Sequence, residues 1–334
     1  DYRRPNAAVD GYALRLTYMR NNFRADIGST PMGFANPTVV GGAEVVPRIN
    51  EQWRVRLTFE RRAVTDSLLS YAGLREKDWV TNWGGVVRTG GRVQLEYIPT
   101  GRWGAFAGVA AYTVQGQNVK TNSQIDASVG AYYSVLRQPH QNLTLAVGAF
   151  YTGYDRNLSG FTFGQGGYFS PQQSVVGQVQ ADYRAQWGDW SFRTIGSVGY
   201  QSYRAASSAA FPTNGAMQSQ LEALAQIDNT INTRVSAVHS SGITGGIFAN
   251  LEYAINPNLR VGGAARYVRV GDYEDTTGFL YLRWRLDRPR SDLRPFYEGA
   301  RYPIPNTSDP MPSSLVGGQP EWIQLPLGAA RPVW

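Results

Sequence analysis

The sequence predicts an all-β chain folded as a transmembrane antiparallel up-and-down β-barrel. Three observations carry that expectation. Runs of strand length alternate apolar residues with polar or charged ones. Short turn signals follow some runs and long irregular connections follow others. No window holds the roughly 18 consecutive apolar residues that a membrane helix needs, which excludes a helical membrane protein.

The earliest alternating row is Tyr12, Leu14, Leu16 and Tyr18. The clearest is Glu51 to Asp66, where Trp53, Val55, Leu57 and Phe59 alternate with Arg54, Arg56, Thr58 and Glu60. Successive strand side chains point to opposite faces, so such a strand has one greasy face and one charged face. Further apolar rows are Val93, Leu95 and Tyr97; Ile125, Val129 and Tyr133; and Leu143, Leu145, Val147 and Tyr151. Later ones are Val175, Val179 and Tyr183; Ile247, Leu251 and Tyr253; and Leu280, Leu282 and Trp284. Several end in Tyr or Trp, as expected if the ring anchors at a membrane interface. About 12 to 14 strands can be read this way, and the regions before Val40 and from Leu68 to Gly91 are where more are expected.

Tight turns are expected at Pro99 to Trp103, Gln138 to Asn142, Trp187 to Trp190 and Ile255 to Asn258. Each closes a hairpin. Long connections are expected at Leu68 to Asn82, Asn157 to Gln173 and Ala205 to Ser241. Within the last, Met217, Leu221 and Leu224 are spaced for a short amphipathic helix over about 216–228, expected to meet the barrel mouth or enter the lumen unless it only covers the loop. Residues 1–288 thus form the barrel. Nine prolines from Pro289 to Pro332 forbid central strands, so 289–334 is expected to be an extended tail, and its Phe296, Tyr297, Trp322 and Trp334 suggest that it docks on the barrel.

Composition is compatible with this. Of 334 residues, 42% are hydrophobic and 13% aromatic, yet mean hydropathy is −0.34. Alternating faces hide a lipid-facing surface from such averages. There is no cysteine, so no disulfide or Cys-based metal site is available. The chain begins at Asp1 with no signal-peptide pattern, so a signal peptide or larger N-terminal portion is expected to be missing. The net charge of +7 belongs either to a solvated surface or to a charged lumen.

Catalytic signals are weak. His140 sits in a turn, and His239 lies beside Ser240 and Ser241 in a Ser-rich loop, without the third group that would hold a nucleophile and base in register. No zinc, phosphate-loop or calcium-loop motif occurs, so no metal or cofactor is expected. Basic residues are spread along strands, which argues against nucleic acid.

The inner row is the candidate functional surface. Unpaired charge facing lipid costs roughly 2–4 kcal/mol at the midplane, so Arg54, Arg56, Glu60, Arg92, Glu96, Asp126, Asp182, Arg184, Glu252, Arg266, Arg283 and Arg285 are placed inward. Tyr132, Phe150, Tyr154, Tyr203, Phe248 and Tyr281 share that parity. Aromatic faces suit the C–H faces of sugars while charged and amide groups bind hydroxyls, unless the rings merely fill space beneath a loop.

The segments FERRAVTDSLLSYAG (59–73), WGGVVRTGG (83–91) and GQGGYFSPQ (164–172), with SSGITGGIFANLEYAINPNLRVGG (240–263) and FLYLRWRL (279–286), resemble the outer-membrane β-barrel domain of the bacterial cellulose synthase family of cellulose export porins. The resemblance covers most of Asp1 to Asp287. It implies a 16-stranded barrel in the bacterial outer membrane, in contact with outer-membrane lipid and lipopolysaccharide. It also implies passive export of a linear β-1,4-glucan, cellulose. Periplasmic tetratricopeptide repeats of the same full-length chain would link the barrel to the inner-membrane synthase complex. The Pro-rich ending is longer than the family's. A general or small-solute porin is the alternative, followed by an outer-membrane hydrolase using His239 and a purely structural anchor for the repeats.

Overall fold

The computed structural model describes residues 9–20, 22–76, 81–99, 102–270 and 273–284. Alternating sequence becomes strand almost everywhere it was expected. In order, the elements are β1 Arg15–Arg20, β2 Phe23–Ser29, β3 Val39–Val45, β4 Trp53–Ala63, α1 Leu68–Ala72, β5 Leu74–Glu76, β6 Thr81–Tyr97 and β7 Trp103–Gln117. They continue with β8 Asn122–Gln138, β9 Gln141–Tyr154, β10 Gln173–Trp187, β11 Trp190–Ala205, β12 Ser208–Ala209, α2 Gly215–Ala225, β13 Arg234–Val235, β14 Val238–Asn256, β15 Leu259–Val270 and β16 Tyr273–Trp284.

One sheet contains 14 of these strands. All but β5, β12 and β13 follow one another as neighbours from β1 to β16, every pair antiparallel, and β5 adds to β6. β12 and β13 make a separate two-stranded ribbon. Thirteen wall strands among the described residues agree with the 12 to 14 legible as alternation and compare with the sixteen implied by resemblance. No pairing between β1 and β16 occurs among the described residues. The strands before Val40 that alternation does not resolve are β2 and the start of β3.

The two faces of the sheet differ as the sequence demands. Leu57, Phe59, Val93, Val109, Ile125, Val129, Val147, Val179, Ile243 and Ile247 are all exposed on one face. Their neighbours on the other face, including Glu60, Arg92, Gln94, Asp126, Gln178 and Asn250, are buried. On β14 the exposed apolar row runs from Ile243 to Tyr253, close to the roughly 9–11 residues a tilted strand needs to cross a bilayer. A one-residue slip would exchange the faces, which is why the register is so well specified.

The two ends differ as well. Residues 139–140, 188–189 and 257–258 are the tight connections, and Gly188 supplies the left-handed conformation that the Trp187 to Trp190 turn needs (φ +56°). Aromatic pairs gather at this end: Trp53 with Tyr97 at 4.7 Å, Tyr97 with Trp103 at 5.4 Å, and Trp190 with Tyr253 at 4.9 Å.

The long connections at the other end are more structured than the sequence suggests. The expected loop from Leu68 holds α1 and β5, and the final long connection shortens because β11 runs to Ala205 and β14 begins at Val238. The helix expected over 216–228 is α2, capped by Asn214, whose Oδ1 accepts the Met217 N–H. None of its residues is buried, so it packs neither against the mouth nor into the interior. Its apolar stripe of three residues is too small to offset the cost of docking. The tail from Pro289 to Trp334 lies outside the described residues.

Candidate functional site on the inner face

The inner face is a set of lateral ion-pair clusters, each built from neighbouring strands. On β4, Arg56 donates to Glu44 of β3 and to Glu96 of β6, both at 2.7 Å. Farther along β4, Arg62 holds both carboxylate oxygens of Asp26 at 2.6 Å and reaches Glu60 at 3.3 Å. Glu60 also accepts from Arg88 at 3.1 Å and from the Tyr112 hydroxyl at 3.3 Å, and the Arg88 guanidinium lies 4.8 Å from the Tyr112 ring centre. Registered pairing brings these residues together: Glu60 is opposite Gly90, and Gly90 is opposite Tyr112.

Farther round the sheet, Arg92 stands 3.8 Å from Asp126, which accepts from Gln124 and Thr152 at 2.9 Å each. Asp182 is shared by Arg184 and Arg193 at 3.1 and 3.0 Å. Glu252 accepts from the Tyr281 hydroxyl at 2.7 Å and stands 3.7 Å from Arg260, and Asn250 donates to the same hydroxyl at 2.6 Å. The carboxylates are Asp26, Glu44, Glu60, Glu96, Asp126, Asp182 and Glu252; the guanidiniums are those of Arg56, Arg62, Arg88, Arg92, Arg184, Arg193 and Arg260. Acid and base therefore balance one for one within these clusters. Long side chains lie along the wall and cover shorter ones, leaving Gln94 wholly buried.

Most of the residues that parity places inward fall on this face. Arg56, Glu60, Arg92, Glu96, Asp126, Asp182, Arg184, Glu252 and Tyr281 belong to the clusters above. Arg54 is half-buried beside Glu96 in register, and half-buried Arg266 is opposite half-buried Phe248. Half-buried Phe150 pairs with Ser128. Tyr132 is buried, its ring laid over Gly104 of β7, while Phe106 of β7 lies over Gly130 of β8. The side chain of Arg283 and the whole of Arg285 lie outside the described residues. Arg62, Arg88 and Arg193 are cluster members that the sequence reading misses, although the parity of Arg56, Arg92 and Asp182 extended along or across the strands reaches each of them.

Tyr154 and Tyr203 have a different setting. At the end with long connections, Leu69, Trp83, Val86, Val114, Val119, Leu158 and Tyr168 form a buried apolar cluster, with Val64, Leu74, Tyr154 and Phe163 against it. This cap joins α1 and the 155–172 connection to the inner ends of β6 and β7. Tyr154 packs on Tyr168 at 5.8 Å and Tyr203 on Phe169 at 4.9 Å. Trp83 donates from Nε1 to the Gln165 carbonyl at 2.7 Å, and Ser67 and Ser70 cap α1 reciprocally. Asp66, just before α1, accepts the Phe169 N–H at 2.9 Å. Burial pushes its carboxyl up to about 6, opposed by that hydrogen bond and by Arg88.

The imagined hydrolytic group is not assembled. His239 is exposed on β14 opposite Arg204, and the Ser241 hydroxyl is bonded to Tyr200 at 2.9 Å.

The family model described as "Cellulose synthase operon protein C C-terminus" matches residues 4–287. "Cellulose synthase 2 operon protein C" of Komagataeibacter xylinus is 36% identical over 281 residues, which is 84% of this chain and 21% of that protein. "Cellulose synthase operon protein C" of Xanthomonas axonopodis pv. citri (strain 306) is 33% identical over 302 residues, or 86% of this chain and 20% of that protein. The chain thus spans about a fifth of the length of the curated relatives it matches. Among solved structures, a "Bacterial polysaccharide outer membrane secretin" aligns with a TM-score of 0.48 at 11% identity over 82% of this chain and 79% of that one, a likeness too distant to bear on function. With more than four-fifths of its length matched by the family model, the chain belongs to the cellulose synthase operon protein C C-terminus family.

Proposed function

We propose that this chain is the outer-membrane conduit through which a linear β-1,4-glucan leaves the cell. The observation that carries the reading is the balanced inner wall, where carboxylate and guanidinium neutralise each other laterally. A neutral polymer crossing such a wall meets many hydrogen-bonding groups but no strong net field. Movement needs many weak sites and no deep one. Phe150 and Phe248, half-buried on the same face, add apolar contact for sugar C–H surfaces. The chain acts as a passive channel and not as a catalyst. In the full-length protein, periplasmic tetratricopeptide repeats would receive the glucan from an inner-membrane synthase, and lipid and lipopolysaccharide would surround the exposed apolar rows.

The test is export in cells that carry the full-length protein with Phe150 and Phe248 both changed to Ala. Secreted cellulose should fall several-fold at unchanged barrel abundance. Unaltered export in this variant, together with large steady conductance and no response to cello-oligosaccharides in planar bilayers, would favour a small-solute porin instead.

A further inference from the structure

Between the cap and the β12–β13 ribbon lies a cleft of about 300 Å³ that the inner-face clusters do not use. Three connections at the same end of the sheet form it: those joining β7 to β8, β9 to β10 and β11 to β14. Its volume sits at the small end of the range for ligand pockets. Hydrogen bonds brace these connections against each other. Asn157 Nδ2 donates to the Ala206 carbonyl at 2.7 Å, Gln172 Oε1 accepts the Ala206 N–H, and Lys120 N–H donates to the Gly164 carbonyl at 2.9 Å. Asn122 clamps the backbone of Arg156 from both sides at 2.8 and 2.9 Å.

The bracing decides which groups are left for a ligand. Ser207 and Ser208 accept from Arg234 and Gln165 at 3.3 and 3.2 Å, so each keeps its O–H to donate. The Lys120 side chain adds ammonium donors, and Asp155, paired with Arg156 at 3.3 Å and about half exposed, adds acceptors. Leu158 and Pro212 supply apolar surface. Donors and acceptors on one wall with apolar groups between them match a neutral polyhydroxyl ring. An anion would find two cations here but would also face the Asp155 carboxylate.

We infer that this cleft is an exit-side subsite that holds one or two pyranose units of the outgoing glucan. The inference rests on the export reading. It adds a defined place where the chain pauses after the inner wall, held by groups that differ from the ion-pair clusters.

The test uses the full-length protein in detergent and measures cellohexaose binding by titration calorimetry, with maltohexaose and inorganic phosphate as comparison ligands. Ala206→Trp, which fills the cleft, should weaken cellohexaose at least ten-fold, and Ser208→Ala and Lys120→Ala about three-fold each, at unchanged heat-modifiable gel mobility. Phosphate should not compete. Equal cellohexaose affinity in Ala206→Trp and the parent, no binding by the parent, or displacement by phosphate would each overturn the subsite. None of these touches the export reading, which stands or falls on the Phe150 and Phe248 variant in cells.

Discussion

The ring of Tyr132 on β8 occupies the space that a side chain at Gly104 on β7 would need. The relation is reciprocal. Phe106, two residues beyond Gly104, covers Gly130, two residues before Tyr132, where an added Cβ would come within 2.6 Å of the Phe106 ring. Each ring compensates for the other strand's missing side chain. Gly104→Ala should therefore lower stability by about 1–3 kcal/mol through overpacking. In a Tyr132→Ala background the same change should cost less than about 0.5 kcal/mol. Urea titrations of the folded fraction in liposomes measure both, and equal costs in the two backgrounds would refute the coupling.

Asp182 is the one carboxylate shared by Arg184 and Arg193, and all three are buried. Asp182→Asn leaves two guanidiniums beside each other without their counter-charge. A loss of about 3 kcal/mol is expected, since breaking a buried pair strands its partner. The same variant should shift channel selectivity toward anions in planar bilayers. A change in urea midpoint equivalent to under about 0.5 kcal/mol would mean that water already screens this cluster.

The cap should respond to pH through Asp66. Its carboxyl is raised from 3.8 to about 6 by burial, so the closed cap prefers the protonated form. The stability it gains from that proton is complete below about 3.8 and is lost as pH rises through about 6. A displacement of that size corresponds to at most about 3 kcal/mol. Hydrogen exchange in 157–171 should be slower at pH 5 than at pH 7.5. Asp66→Asn keeps an acceptor for the Phe169 N–H and should flatten the difference. A profile in the variant as steep as in the parent would assign the effect to another group.

Trp83 ties the cap to the wall through both its ring and its Nε1–H. Trp83→Phe should cost about 1 kcal/mol, the worth of one hydrogen bond, and Trp83→Ala about 3–5 kcal/mol through the cavity it leaves. Limited proteolysis in the 155–172 connection should be modestly faster in the first and strongly faster in the second. Indistinguishable cleavage rates in all three proteins would show that the cap is held elsewhere.

The wall was legible in the sequence because a period of two is a local signal. Trp53 to Glu60 and Ile247 to Tyr253 declare their faces without knowing their neighbours. Ion-pair partners were not legible, since joining Arg56 to Glu44 and Glu96 needs the register of three strands. The cap was hidden for another reason. Leu69, Leu158 and Tyr168 stand in irregular segments with no periodicity, and their burial comes from loops folding back onto Val86 and Val114. For Tyr154 and Tyr203, parity indicated the correct face but not the height along the strand. Height is what separates the cap from the inner-wall clusters.

The strands are of very unequal length, 17 residues in β8 against 7 in β2 and β3. At roughly 3.4 Å per residue and a tilt of about 45°, the long ones rise about 40 Å and the short ones about 17 Å, against a hydrocarbon layer of about 30 Å. In a bilayer the rim is therefore a slanted spout. Its tall lip, which carries the cleft beside Lys120 and Ser208, stands clear in water, and beside its low lip the lipid must thin. A fibre that emerges over the tall side starts its life above the headgroups, where other chains can reach it, and not among acyl tails.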